Sequence, residues 1–255
     1  MTAPKILVLR APGTNCDRET AFAFSRAGGD AALVHINALM ENPRQLANYQ
    51  ILCFPGGFSY GDDISAGRIL ACQIRHHLAE VVSEFRDAGK LVLGICNGFQ
   101  VLLKSGVLLG KPAATLTWND RGRFEDRWVR IAVDGEKCVF LDGITSMYLP
   151  IAHAEGKFVT RDGDVLGSLD QAGQLVLRYA DDQGDFASSL GFPRNPNGSL
   201  ANVAGLCDRT GRVLGMMPHP ERHIDPTHHP QWTRLPPRDR GDGLRLFENA
   251  IRYFE

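Results

Sequence analysis

The most constraining feature of this chain is the segment Gly94-Ile95-Cys96-Asn97-Gly98, which joins a predicted buried strand to a predicted helix. Leu91-Val92-Leu93 is a short continuous apolar run, and Gln100-Val101-Leu102-Leu103 begins an apolar helical face. Glycines on both sides of a cysteine permit a turn tight enough to lift one side chain above the end of a sheet. The positive end of a helix dipole favours the thiolate there. The segment therefore predicts an α/β fold and a nucleophilic Cys96 rather than a buried structural cysteine.

Short apolar runs alternate with helical patterns through the first half of the chain. The predicted strands are residues 6–9, 32–36, 51–54 and 91–95. One predicted helix begins at a capping Asp17, carries Phe22 and Phe24, and ends at Gly28-Gly29. A second, long helix ends at Gly89, and its apolar face consists of Leu70, Ile74, Leu78, Val81 and Phe85. This alternation indicates a parallel sheet with helices on both faces.

Turn signals separate the predicted strands of the second half. These strands are residues 128–133, 175–179, 203–207 and 213–217, the last two joined as a hairpin by residues 208–211. Asp242 is predicted to cap a final helix, with Leu244, Phe247, Ile251 and Phe254 on one face. We therefore expect a three-layer α/β fold, with a mostly parallel central sheet, helices on both faces and an added antiparallel portion. We expect one domain over residues 1–255.

Composition argues against several classes of function. The 255 residues carry a formal net charge of −1 and are 44% hydrophobic, enough for one substantial core. No basic face, RNP-like aromatic motif or zinc-finger spacing is present, so nucleic acid is not an expected partner. The six cysteines are scattered, a pattern typical of reduced thiols in the cytoplasm. No apolar run could span a bilayer or form a signal peptide, so we expect a soluble, cytoplasmic protein without a membrane partner.

A cysteine nucleophile needs a base and a group that orients the base. Met217-Pro218-His219-Pro220-Glu221 supplies both, just beyond a predicted strand. The prolines favour extended backbone, in which residues two apart project to the same side. Glu221 can then hold one imidazole nitrogen of His219 while the other faces Cys96. Alone, such a segment is typical of a surface turn. Together with the turn at residues 94–98, which has the form of a nucleophile elbow, it predicts a Cys96–His219–Glu221 triad.

The stretch Phe54-Pro55-Gly56-Gly57-Phe58-Ser59 also follows a predicted strand. Paired glycines allow backbone N–H groups to converge on an anion. Together with the amide of Asn97, they predict an oxyanion hole, in which one donor contributes about a hundredfold or more to the rate. The alternative interpretation is an ordinary Pro-Gly turn.

The elbow cysteine, the P-G-G turn and the H-P-E segment together resemble a class I (triad) glutamine amidotransferase. Further stretches make the chain similar to the glutaminase subunits of phosphoribosylformylglycinamidine synthase: residues 13–17, 57–63, 123–125, 127–128, 150–153, 195–199 and 216–222. The match spans nearly the whole chain. It implies a class I glutamine amidotransferase-like, flavodoxin-like fold.

By that resemblance, Cys96 attacks the side-chain amide of glutamine and His219 passes a proton to the departing ammonia. A glutamyl thioester remains for water to hydrolyse. The backbone groups implied to hold the oxyanion are those of Gly57, Phe58 and Asn97. The residues implied to lie near the bound glutamine are Gln100, Arg123, Phe124 and Glu125.

The same resemblance implies a partner, because the family delivers ammonia to a separate synthetase subunit. That subunit uses ATP and Mg²⁺ to convert formylglycinamide ribonucleotide to formylglycinamidine ribonucleotide in de novo purine biosynthesis, often with a small third subunit. This chain has no G-x-x-x-x-G-K-[ST] phosphate loop, which agrees with that division of labour. We expect no cofactor and no metal in this chain.

The chain departs from the family pattern in several places. Phe99 stands where a second cysteine is common, which predicts a changed pocket lining. Arg121 replaces a frequent serine, and Ala154 replaces a usual glycine. The proline-containing segment 228–241 is longer than in the shortest members, and we expect it to wrap over the sheet edge rather than to dock a partner.

Three other interpretations stay open. The first is a zinc site formed by His219, His223, His228 and His229. The sequence has no C-x-x-C or H-E-x-x-H motif that would favour it. The second is a stress protein or small hydrolase of the DJ-1 group; these often place histidine directly after the cysteine, where this chain has Asn97. The third is an inert subunit that only binds a partner, which the intact triad disfavours.

Overall fold

A mixed sheet lies at the centre of the structure, a computed structural model that describes residues 2–110, 113–134, 136–187 and 189–255. The strands are β1 (Lys5–Arg10), β2 (Asp30–His35), β3 (Ile51–Phe54), β4 (Leu91–Ile95), β5 (Ala114–Thr117), β6 (Glu125–Val133), β7 (Ser146–His153), β8 (Lys157–Thr160), β9 (Leu177–Ala180), β10 (Val203–Cys207) and β11 (Val213–Met216). The helices are α1 (Asp17–Arg26), α2 (Ile36–Glu41), α3 (Arg68–Gln73), α4 (Ala79–Asp87), α5 (Asn97–Ser105), α6 (Gly163–Gln171) and α7 (Leu244–Arg252).

The described central sheet has the strand order β2-β1-β3-β4-β11-β10-β9-β6-β7. The strands from β2 to β11 pair in parallel. The strands from β10 to β7 extend the sheet by antiparallel pairing, while β5 and β8 form a separate antiparallel pair. The predicted α/β architecture, a mostly parallel sheet with an added antiparallel portion, is confirmed, as is the hairpin between β10 and β11.

The order of the parallel strands places helices on both faces. The chain crosses from β1 to β2 in one direction and from β3 to β4 in the other, so right-handed crossovers put α1 opposite α4 and α5. On the α1 face, α7 packs against α1, where the rings of Phe24 and Phe247 lie 4.9 Å apart. The reversal between β1 and β3 opens a crevice at the carboxyl ends of the strands, where ligands bind in such sheets.

The hydrophobic core fills both sides of the sheet. Every residue of β3, β4 and β11 is buried, as expected for strands covered on both faces. Of the two phenylalanines predicted on α1, Phe24 is fully buried, whereas Phe22 is exposed. Among the helices described, none has the length and apolar character needed to cross a bilayer.

Both predicted helix caps are wrong. Asp17 is the first residue of α1 and does not cap it; its carboxylate pairs with Arg10 at 2.6 Å. Asp242 precedes Gly243, the N-cap of α7, and its carboxylate accepts a hydrogen bond from the backbone N–H of Tyr148 at 2.8 Å. In each case a tertiary partner takes the carboxylate that the local pattern assigns to the helix end.

The predicted long helix is interrupted, because a π-helical turn over Ile74–Leu78 separates α3 from α4. Strand β7 is not among the predicted strands. It contains Pro150 and is the last strand of the sheet, where proline is tolerated. Segment 228–241 lies over this end of the sheet, as predicted. The ring of His229 packs against Trp128 and Tyr148 with centroids 5.2 and 5.3 Å apart.

Candidate active site

The elbow between β4 and α5 has the geometry that its glycines predict. Cys96 is the N-cap of α5 and has φ +51° and ψ −105°, a conformation rare outside glycine. A Cβ on Gly98 would collide with the carbonyl oxygen of Phe54, so only glycine lets α5 approach β3 this closely. Cys96 is 5% exposed, and its Sγ lies 3.7 Å from the carbonyl oxygen of Ala152. The sequence thus presents one thiol at the carboxyl edge of the sheet.

His219 reaches the same edge because β11 pairs in parallel with β4, with Met216 beside Ile95. The backbone N–H of His219 donates to the carbonyl of Pro150 at 2.9 Å, which fixes the segment beyond the strand. The imidazole Nδ1 lies 2.6 Å from Oε1 of Glu221, and both side chains are buried. Since a carboxylate only accepts, Nδ1 carries the proton and Nε2 is the basic nitrogen.

The electrostatics of His219 favour the imidazolium. Burial lowers the pKa of His219, but the Glu221 carboxylate and the thiols of Cys96 and Cys16 outweigh it and raise the pKa well above its ordinary value. Within the described residues, Nε2 is buried and makes no well-formed hydrogen bond. The structure therefore brings the three predicted members of the triad together. Glu221 contacts Nδ1 of the His219 imidazole, and Cys96 lies close to the same ring.

The three backbone N–H groups predicted to hold the oxyanion differ in whether they already donate a hydrogen bond within the protein. Gly57 has φ +133°, and a Cβ there would lie 2.7 Å from the backbone nitrogen of Asn15, so glycine is required. In the described part of the chain, no backbone acceptor takes the N–H of Gly57 or of Asn97, the first residue of α5. The N–H of Phe58, in contrast, donates to the carbonyl of Gly13 at 3.0 Å. The prediction for Phe58 does not fit this geometry, because its donor is already engaged.

A cavity of about 250 Å³ opens beside the thiol, and Cys96, Gln100 and Phe58 are among the residues that line it. Gln100 is held rigidly: its amide nitrogen donates to the carbonyl of Glu155 at 2.7 Å, and its oxygen accepts from Asn97 at 2.9 Å. The cavity is the place where an amide substrate would meet the thiol.

The other predicted substrate contacts lie outside the cavity lining. Arg123 is exposed, and Phe124 is half exposed with its ring 6.3 Å from that of Phe58. Glu125 is buried and accepts hydrogen bonds from the guanidinium of Arg127 at 2.5 and 3.1 Å. Their predicted contact with glutamine therefore remains a prediction, and the structure gives Glu125 a pairing role.

The departures from the family pattern have clear places in the structure. Phe99 is fully buried and packs against Gly215 of β11, so the expected change in pocket lining is wrong. Arg121 and Arg127 place their guanidinium groups 4.1 and 4.5 Å from the ring centre of Phe192. Ala154 lines the cavity.

Two buried groups near the triad were not singled out from the sequence. His153 ends β7 and donates from Nδ1 to Oδ1 of Asn119 at 3.2 Å; burial and the neighbouring His219 lower its pKa to about 3. Cys16 receives a hydrogen bond from Arg222 at 3.2 Å and donates to Asn15 at 3.3 Å, and burial raises its pKa. The only signal was that both lie in stretches on which the family resemblance rests.

The described residues do not support a zinc site made of His219, His223, His228 and His229. In that part of the chain, no three of these histidines have ligand atoms close enough to share one metal ion. A different group does so: potential ligand atoms of Cys16, Glu19, His219 and Glu221 lie within 4.8 Å of one another. Arg222 already fills this place with positive charge, since its guanidinium contacts Cys16 at 3.2 Å and Glu19 at 2.9 Å.

Comparison with known proteins agrees with this geometry. A family model, the CobB/CobQ-like glutamine amidotransferase domain, matches residues 3–254. The chain is 46% identical to phosphoribosylformylglycinamidine synthase subunit PurQ of Dehalococcoides mccartyi, covering 99% of this chain and 98% of that one. The PurQ subunit of Archaeoglobus fulgidus is 40% identical, with 98% and 97% covered.

Two solved structures are similar to the chain. One described as the structure of PurLQS from Thermotoga maritima matches with a TM-score of 0.75 and 29% identity, covering 99% of this chain and 100% of that one. A putative GMP synthase subunit from Thermoplasma acidophilum matches at a TM-score of 0.59 and 14% identity, with 99% and 94% covered, and shows the fold alone. The chain therefore belongs to the CobB/CobQ-like glutamine amidotransferases, among the PurQ subunits of phosphoribosylformylglycinamidine synthase.

Proposed function

We propose that this chain is the glutaminase subunit of phosphoribosylformylglycinamidine synthase. It hydrolyses glutamine to glutamate and ammonia, and supplies the ammonia to a synthetase subunit that converts formylglycinamide ribonucleotide to formylglycinamidine ribonucleotide with ATP. One observation carries the proposal: the thiol at the elbow lies beside a buried histidine–carboxylate pair and opens to a cavity of about 250 Å³. A nucleophile, its base and an amide-sized space are what thioester chemistry on glutamine requires.

The reaction follows from the positions of the groups. His219 takes the proton of the Cys96 thiol on Nε2, the resulting thiolate attacks the amide carbon, and the oxyanion is held by the N–H groups of Gly57 and Asn97. His219, as imidazolium, gives a proton to the amide nitrogen, the C–N bond breaks, and ammonia leaves behind a glutamyl thioester. The neutral imidazole then takes a proton from water, and the hydroxide attacks the thioester carbon. The C–S bond breaks, glutamate leaves, and the imidazolium returns the proton to the Cys96 sulfur. Glu221 stabilises the imidazolium and fixes its tautomer throughout.

The division of labour between subunits is part of the proposal. We assign ATP and Mg²⁺ to the synthetase subunit and a supporting role to a small third subunit, with no cofactor held by this chain. Residues 1–255 would act as one glutamine amidotransferase domain. We place the protein in the cytoplasm, because all six cysteines are free, as expected in a reducing compartment.

Replacing Cys96 by serine in the complex with the synthetase subunit tests the proposal. We expect glutamine-dependent synthesis to be abolished, while synthesis from added ammonium salt stays within about twofold of wild type. Cys72→Ser is the matched control, because this half-buried cysteine on α3 lines a different cavity from Cys96. Loss of both activities in Cys96→Ser would mean a structural role for the thiol. Absence of ammonia release by wild type, with and without the synthetase subunit, would favour the inert subunit.

A further inference from the structure

The loop between the P-G-G turn and α3 places a carboxylate in the cavity. Tyr60, Gly61 and Asp62 have φ of +55°, +70° and +54°, which non-glycine residues adopt only when surrounding contacts hold them. The backbone N–H of Tyr60 donates to the carbonyl of Pro12 at 2.7 Å, and its hydroxyl donates to Gln73 at 2.8 Å. These contacts fix the loop, so the side chain of Asp62 has a defined position.

The Asp62 carboxylate has one satisfied oxygen and one open oxygen. Oδ1 accepts from the side-chain amide of Asn97 at 3.0 Å and from the backbone N–H of Gly67 at 3.3 Å. In the described part of the chain, no donor reaches Oδ2. Asp62 lines the same cavity of about 250 Å³ as Cys96. Any ligand small enough to enter and touch the thiol therefore lies beside this carboxylate.

The second carboxylate of the cavity, that of Glu155, is already occupied. Both of its oxygens accept from the backbone N–H of Ala66 at 3.2 Å, and the ammonium of Lys104 lies 3.7 Å away. The described residues that line the cavity include no lysine or arginine. The unbalanced charge of the cavity wall is therefore the negative charge of Asp62.

Resting on the function proposed above, we propose that Oδ2 of Asp62 binds the α-ammonium group of glutamine. The side-chain amide of the substrate must lie at Cys96, so its amino-acid end occupies the rest of the same small cavity. A carboxylate and an ammonium there form a charge-assisted hydrogen bond, which contributes more than a neutral one. Asp62 is then a specificity-determining residue: it selects amides with a free α-ammonium and disfavours glutamine that is acylated or lacks the amino group.

The test uses the complex with the synthetase subunit and combines a substitution of Asp62 with a substrate that lacks the α-amino group, in the manner of a double-mutant cycle. Asp62→Asn removes the charge, keeps an acceptor for Asn97, and suits the left-handed backbone, which asparagine tolerates. We expect kcat/KM for glutamine to fall about 10- to 100-fold, mostly through KM. Hydrolysis of the des-amino analogue 4-carbamoylbutanoate should change less than about twofold. Asp63→Asn, an exposed neighbour outside the cavity lining, is the matched control and should match wild type.

A binding measurement separates the failure of this inference from failure of the proposed function. The concentration of glutamine that half-protects Cys96 from iodoacetamide should rise about 10- to 100-fold in Asp62→Asn and stay constant in Asp63→Asn. Equal losses for glutamine and its des-amino analogue would show a structural role for Asp62 and overturn the inference. Unchanged protection by glutamine would also overturn it. Wild type that is neither protected by glutamine nor able to hydrolyse it would refute the proposed function itself.

Discussion

Replacing Glu221 by glutamine removes a buried negative charge from His219 while keeping a side chain of nearly the same size. In wild type, Oε1 lies 2.6 Å from Nδ1, and the two side chains are 0% and 2% exposed. Solvent therefore screens the pair little. The glutamine amide can also turn its NH₂ group toward Nδ1, which would favour the tautomer with the proton on the wrong nitrogen.

The size of the effect follows from the geometry of this pair. Two unit charges centred about 4 Å apart interact by about 4 kcal/mol at an effective dielectric constant of about 20. In the proposed reaction an imidazolium forms when His219 takes the proton of Cys96 and again when it takes a proton from water, so the loss corresponds to about a thousandfold in kcat/KM. The pKa of His219 should also fall, because burial lowers it and the Glu221 carboxylate is the main group that raises it.

Steady-state glutaminase assays on the complex, with ammonia-dependent synthesis as the reference activity, measure this effect. Glu19→Gln is the matched control: Glu19 also pairs with a neighbour, Arg222 at 2.9 Å, but its side chain is 38% exposed. A pair this exposed contributes at most about 1 kcal/mol, so the control should lose less than about fivefold. Activity of Glu221→Gln within tenfold of wild type, or an equal loss in the control, would refute the reasoning.

Two further predictions concern stability. Gly98→Ala should destabilise the chain by about 3 kcal/mol in urea unfolding, because its Cβ meets the carbonyl of Phe54, whereas Gly163→Ala, with open space around it, should stay within about 0.5 kcal/mol. His153 has a pKa of about 3 in the folded state against an ordinary 6.5, so below pH 6.5 it binds a proton more readily in the unfolded state. Its contribution to the free energy of unfolding is therefore fully present above pH 6.5 and is lost as the pH falls toward 3. Between pH 7.5 and pH 5, wild type should therefore lose about 2 kcal/mol more than His153→Asn; equal losses would contradict the burial of a neutral imidazole.

The positions of the three proposed triad residues can be predicted from the sequence because each lies in a segment with few conformations. Gly94 and Gly98 allow a single tight turn around Cys96, and the prolines beside His219 restrict its backbone. Strand alternation then brings both segments to one edge of the sheet. The parallel pairing of β4 with β11 confirms that placement.

The parts that cannot be predicted depend on contacts distant in sequence. Asp17 and Asp242 have the residue type of helix caps, but Arg10 and the backbone of Tyr148 take their carboxylates. Phe58 follows the paired glycines as an oxyanion donor should, yet the loop after β1 accepts its N–H. Local patterns give the conformation of a segment, whereas competition for a donor or carboxylate is decided only after packing.

The most direct measurement of the central claim is to find which thiol reacts with glutamine-shaped reagents. A chloroketone derived from glutamine, followed by peptide mass spectrometry, should label Cys96 alone, and His219→Ala should slow the labelling. Cys16 serves as an internal control, because it is buried and hydrogen-bonded, and burial raises its pKa. Label on Cys16 or Cys72 in place of Cys96 would contradict the account.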